Sequence, residues 1–236
     1  MPTPVLFALA ALPPAPTGRC PEVRRARRYL DATHESVSAL LDTFNVIRTT
    51  AMTAKNSPKG RLSRDQVDLL RAAIVFTGGG LDAVCQRLVY DAVGKLIDRG
   101  SQAAEKFDGY LRGELYAPKP SDEFVTAVVC PDPRTALIDA YRSAKTRQSF
   151  QGSGDVRDRV AKLLGIPDAV LRKSRFDALN DFFLARNDIV HQLDYKDING
   201  TSTARNHRTP EWTVAQCDLV LLLLADIIKA TAKLVK

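Results

Sequence analysis

Apolar side chains recur along most of this chain at the three- and four-residue intervals of an amphipathic helix, and the alternation of a half-buried strand is almost absent. From about Pro21, Leu30, Val37, Leu41 and Phe44 share one face of a first helix, which the turn Asn56-Ser57-Pro58-Lys59-Gly60 ends. A second helix is expected from Ser63, an N-cap with Gln66 at capping-box spacing. Its apolar positions Val67, Leu70, Ile74, Leu81, Val84, Leu88 and Leu96 keep helical phase for about nine turns. The phase runs through Gly78-Gly79-Gly80, although each mid-helix glycine costs roughly 1 kcal/mol relative to alanine. Gly78 lies on the apolar stripe, so close approach of another helix explains it. A phosphate loop is the alternative, but no preceding strand and no following Gly-Lys-Ser/Thr support it.

After Arg99-Gly100 the pattern loosens. Residues 116–133, with Pro118, Pro120, Pro131 and Pro133, are expected as a loop with a short extended piece over 124–129. Helices resume over 134–146, over 156–164 and over 173–190, with polar connections at 148–154 and 199–203. The last helix opens at Pro210, a good first-turn residue, and is apolar nearly all round over 219–224. A membrane span needs about 18–20 such residues, so this is expected as a core helix. The architecture predicted is all-α, with two long helices and several shorter ones packed as one domain over 21–236. Residues 1–20 are expected as a disordered tail: the apolar run over 5–12 lacks a preceding Lys or Arg, unlike a secretory leader. Cytoplasmic location follows as the default, with no membrane partner.

Composition narrows the chemistry. The 236 residues carry a formal net charge of +7, with 45% hydrophobic residues, which permits a polyanionic partner without demanding one. The basic group Arg24, Arg25, Arg27 and Arg28 is either a solvated first turn or an RNA contact. Cys20, Cys85, Cys130 and Cys217 form no C-x-x-C pair, and the histidines are His34, His191 and His207 alone. No metal and no cofactor are therefore expected.

The stretch that stands out is Arg186-Asn187-Asp188-Ile189-Val190-His191. At about 100° per residue, Arg186 falls beside the apolar stripe of Phe176, Leu179, Phe183 and Val190, with Asn187 and His191 at its other edge. A guanidinium there needs a partner or a polar cavity. A structural ion pair and an active site both satisfy that demand. Asp82, just beyond the glycines, either pairs with Arg186, positions the imidazole, or is an exposed helical carboxylate. Asp194 and Tyr195 either line the same cleft or belong to a surface loop. His207, within Arg205-Asn206-His207-Arg208, fits a basic loop better than a second site.

An arginine followed by a polar residue, with four residues between the arginine and the histidine, resembles the HEPN superfamily of small helical proteins. Residues 69–83 look like the first long helix of its RiboL-PSP branch, and the resemblance covers 63–236. It implies a HEPN-like helical bundle and a metal-independent endoribonuclease acting as a homodimer on single-stranded RNA or tRNA. It also implies a toxin or antiviral defence setting, with an antitoxin protein as partner. Arg186, Asn187 and His191 would be catalytic, with Asp82, Asp194 and Tyr195 supporting. In such cleavage the 2′-hydroxyl attacks the adjacent phosphorus, so a base must take its proton and donors must hold the phosphoryl charge. An imidazole suits the first task and a guanidinium fork the second. Arg186 and His191 lie about 140° apart on an ideal helix, a separation that a cleft between two chains or a helix ending near Val190 would ease, and the cleft is expected between two chains. The alternative is a catalytically inactive HEPN-fold module that binds RNA, a nucleotide or a protein.

Overall fold

Two helices of 35 residues each, α1 (Pro21–Lys55) and α2 (Arg64–Asp98), form the spine of the bundle in the computed structural model, which describes residues 5–55, 61–197 and 199–236. They are followed by α3 (Gln102–Leu115), α4 (Asp122–Val129), α5 (Pro133–Thr146) and α6 (Ser153–Asp155), which runs into a π-helical turn over Val156–Ala161. Then come α7 (Lys173–Asp177), α8 (Asn180–Gln192) and α9 (Pro210–Leu234). The fold is all-α: among the described residues there is no strand, only an isolated bridge between Tyr195 and Arg205. The turn expected at 56–60 lies outside the described residues.

The helices start where their chemistry says they should. The Ser63 side chain accepts from the Gln66 backbone at 3.3 Å while Gln66 Oε1 accepts from the Ser63 backbone at 2.8 Å, closing the capping box of α2. Thr209 caps α9 by accepting from Trp212 N, with Pro210 in the first turn. Leu30, Val37, Leu41 and Phe44 of α1 are buried against Leu70, Ile74, Leu81 and Leu88 of α2 and Val220, Leu224 and Ile228 of α9, in one core. Among the described residues no helix is long and apolar enough to cross a membrane.

Three expectations change. Residues 124–129 are helical in α4, where Ser121 caps Phe124 N and the buried Phe124 and Ala127 anchor one side of a helix, not an extended piece. The helix expected over 173–190 is interrupted at Ala178 and Leu179. Beyond that break Phe182, Phe183, Ala185 and Ile189 face the core, and Val190, assigned to the stripe, is 42% exposed. Finally, residues 5–20 are held against the bundle where a disordered tail was expected. Phe7 N and O pair with the Asn45 side chain at 3.0 and 2.8 Å, its ring meets Phe44 edge-on, and Ala10 N donates to Asp218 Oδ1 at 2.9 Å.

The glycine run does what its phase implied, with two different neighbours. A Cβ on Gly78 would lie 3.1 Å from Arg186 Cγ, so α8 lays its arginine across α2 at that point. A Cβ on Gly80 would lie 2.2 Å from Thr33 Oγ1 and Cγ2 and 2.7 Å from Thr33 Cβ, so no rotamer change makes room. Gly80→Ala is therefore expected to cost about 1–3 kcal/mol, through a forced separation of α1 and α2. Gly79 has nothing within 4 Å of such a Cβ, and Gly79→Ala is expected to stabilise the helix by roughly 0.5–1 kcal/mol. Urea unfolding of the two variants, opposite in sign, checks both statements.

Candidate functional site

The site is built where α8 ends. Leu193 and Asp194 both adopt left-handed backbone, with φ of 50° and 63°, a conformation costly for residues with a Cβ. Leu193 N donates to Ile189 O at 3.1 Å and Asp194 N to Asp188 O at 2.9 Å, satisfying two of the last carbonyls of α8. The reversal sends Asp194 inward, and its side chain is fully buried.

There it gathers three donor side chains from two parts of the chain. Arg71 Nε of α2 donates to Oδ2 at 2.8 Å, Arg208 Nη2 to Oδ1 at 2.6 Å, and Asn206 Nδ2 to Oδ1 at 3.1 Å. Arg208 Nε adds a second bond to Oδ2 at 3.2 Å, making that pair bidentate. Arg71, itself 7% exposed, also donates to Asp68 Oδ1 at 2.8 Å and Asn206 O at 3.1 Å. Burial pushes the Asp194 carboxyl up, but the hydrogen bonds from Arg208, Arg71 and Asn206 outweigh it and hold the group below its ordinary value. Of the two sequence readings for Asp194, a surface loop is thus excluded, and its role is to tie α2, the end of α8 and the segment before α9 together. Tyr195 serves the same tie: it bridges to Arg205, whose guanidinium stacks 5.2 Å from its ring centroid.

Arg186 is half-buried, its stem resting on Gly78, and its Nη1 donates to Asn187 Oδ1 at 2.9 Å. Among the described residues no carboxylate lies within ion-pair distance of it, so the ion-pair explanation has no partner there. The guanidinium reaches round to Asn187, which lies one turn before His191 and only about 40° from it on the cylinder. The 140° separation of Arg186 and His191 is thereby narrowed by the length of the arginine. His191 is exposed. Asp82 stands elsewhere: its Oδ1 accepts from Phe150 N at 2.7 Å and its Oδ2 from Gln86 Nε2 at 2.9 Å. It neither pairs with Arg186 nor touches His191, but holds the connection before α6. Arg186 and Asn187 are thus joined by a hydrogen bond, His191 lies exposed one turn beyond Asn187 on α8, and Asp194 and Tyr195 brace the turn that ends the helix.

One feature escaped the sequence. A cleft of about 560 Å³ opens beside α8, between Asp181, Leu184 and Asp188 and the segment carrying Lys196, His207 and Trp212. The only signals were the i, i+3, i+7 spacing of 181, 184 and 188, which aligns them on one face, and a lone tryptophan after a basic loop. Among the described residues no group of three or more His, Cys, Asp or Glu side chains is arranged to hold a metal ion. Compared with protein-family models, with curated proteins and with solved structures, the chain matches none.

Proposed function

We propose that this protein is a metal-independent endoribonuclease of the HEPN type, cleaving RNA by 2′-hydroxyl attack at the Arg186–Asn187–His191 ridge. The observation that carries the reading is the state of Arg186: half-buried on a glycine, without a carboxylate partner among the described residues, and aimed by Asn187 toward the face that bears an exposed imidazole. A cation so held has its donors ready for an anion, and a planar fork suits the phosphoryl oxygens. His191 takes the 2′-hydroxyl proton, and a second imidazole protonates the 5′-oxygen as it leaves, giving a 2′,3′-cyclic phosphate and a 5′-hydroxyl. One ridge offers one histidine, so the acid and base come from two copies in a homodimer. A toxin or antiviral role, with an antitoxin as partner, is the setting that the resemblance suggests.

The test is incubation of the purified protein with single-stranded RNA or tRNA in EDTA, with the product ends identified. Cyclic phosphate termini and a specific activity that falls on dilution are expected. RNA that stays intact, while binding with an affinity that falls with salt and is unchanged in His191→Ala, would establish the inactive binding module instead.

A further inference from the structure

The cleft beside α8 has two walls of opposite charge, and we propose that it holds a guanine base of the RNA, adjoining the cleavage ridge. This rests on the ribonuclease reading for its substrate. At about 560 Å³ the space accommodates a nucleotide. One wall carries Asp181 and Asp188, the other Lys196, His207 and Arg208, with Trp212 beside them.

The charges are not equally available. Arg208 is committed to Asp194 by two hydrogen bonds and lies 5.3 Å over the Trp212 ring, which fixes the indole beside it. Asp188 Oδ2 forms an ion pair with Arg208 Nη2 at 3.7 Å, longer than a hydrogen bond, so its oxygens keep their hydrogen-bonding capacity for a donor from the cleft. Guanine is the base whose Watson–Crick edge offers two adjacent donors, N1–H and N2–H, matched to the two oxygens of one carboxylate. Adenine and cytosine place a ring acceptor where the second donor is needed, and uracil flanks its single N–H with carbonyls. Stacking on the Trp212 indole, which Arg208 fixes, holds the base in register. Lys196 and His207 on the opposite wall then meet its phosphate. A peptide guanidinium would satisfy the acidic wall but leave that basic wall unmatched. Leu184, which lines the cleft, lies seven residues before His191 and so on the same face of α8, which puts the cleft on the side of the ridge where the imidazole emerges.

The chain has a single tryptophan, so its fluorescence reports on the cleft directly. Titration with guanosine 5′-monophosphate is expected to give a saturable change. Inosine 5′-monophosphate, which lacks the N2 amine, is expected to bind about tenfold more weakly, the cost of one hydrogen bond to a charged group. Adenosine, cytidine and uridine monophosphates should not saturate over the same range. Asp188→Asn should weaken the guanosine nucleotide by at least about tenfold and erase its advantage over inosine. Equal responses to all four bases, a response to inorganic phosphate alone, or saturation by an arginine amide with none by the guanosine nucleotide would each overturn the assignment in the wild-type protein, whatever the variant's folding. Cleavage without base preference and without nucleotide binding would remove this inference and leave the ribonuclease reading intact. Base-selective binding in a protein that cuts no RNA would keep the cleft assignment and remove the ribonuclease.

Discussion

Asp194→Ala is expected to destabilise the protein by about 3–5 kcal/mol, the range found when one partner of a buried ion pair is removed. Against a typical total of about 5–15 kcal/mol, that is a large fraction of the folding free energy. The cost arises from what stays behind. Arg71 would keep Asp68 and Asn206 O, but its Nε would face a void, and Arg208 would lose both of its close carboxylate contacts. The left-handed turn at Leu193 and Asp194 would also lose the hydrogen bonds that offset its strain. A urea midpoint unchanged from wild type would refute this account of the turn.

The same carboxyl sets an acid limit. Its folded-state pKa lies below its unfolded value, because the donors from Arg208, Arg71 and Asn206 overcome the effect of burial. Its contribution is therefore complete above the unfolded pKa, near 4, and disappears as pH falls through the lower folded value. Urea midpoints of wild type and Asp194→Asn are expected to converge as the pH drops below about 4. A gap that persisted undiminished at the acid end would contradict the arrangement of donors described for Asp194.

His191→Ala is expected to act on the opposite property. The side chain is exposed, so its truncation should change stability by no more than about 0.5 kcal/mol. Under the ribonuclease reading, loss of a general acid–base group should lower the cleavage rate by roughly 10²- to 10⁴-fold. The contrast separates the two kinds of polar residue in this region: Asp194 is there to hold the fold, and His191 contributes little to it. Cleavage at the wild-type rate in the alanine variant, with the same cyclic phosphate ends, would remove His191 from the chemistry.

Much of the bundle is legible in the sequence. The capping box at Ser63 and Gln66, the apolar faces of α1 and α2, and the start of α9 at Pro210 all depend on residues within one or two turns of each other. Gly78 on the apolar stripe correctly signalled a close neighbour, though not which one. Proline-flanked residues 124–129 misled, because a β-branched run suggests extension until Phe124 and Ala127 find a surface to pack on. The interruption at Ala178 and Leu179 likewise changed which side chains of α8 face inward, removing Val190 from the stripe.

What this sequence determines alone is the long helices α1, α2 and α9 and the adjacency of Arg186, Asn187 and His191, because helical periodicity and neighbouring positions are short-range properties of the chain. Only the tertiary structure decides that Arg186 rests on Gly78 with its fork turned to Asn187, that Asp82 belongs to another corner, and that Asp194 is buried. Asp194 draws donors from 123 residues before it and 14 residues after it. No local pattern encodes such a meeting, because it forms when a left-handed turn folds the chain back and brings opposite charges out of water together.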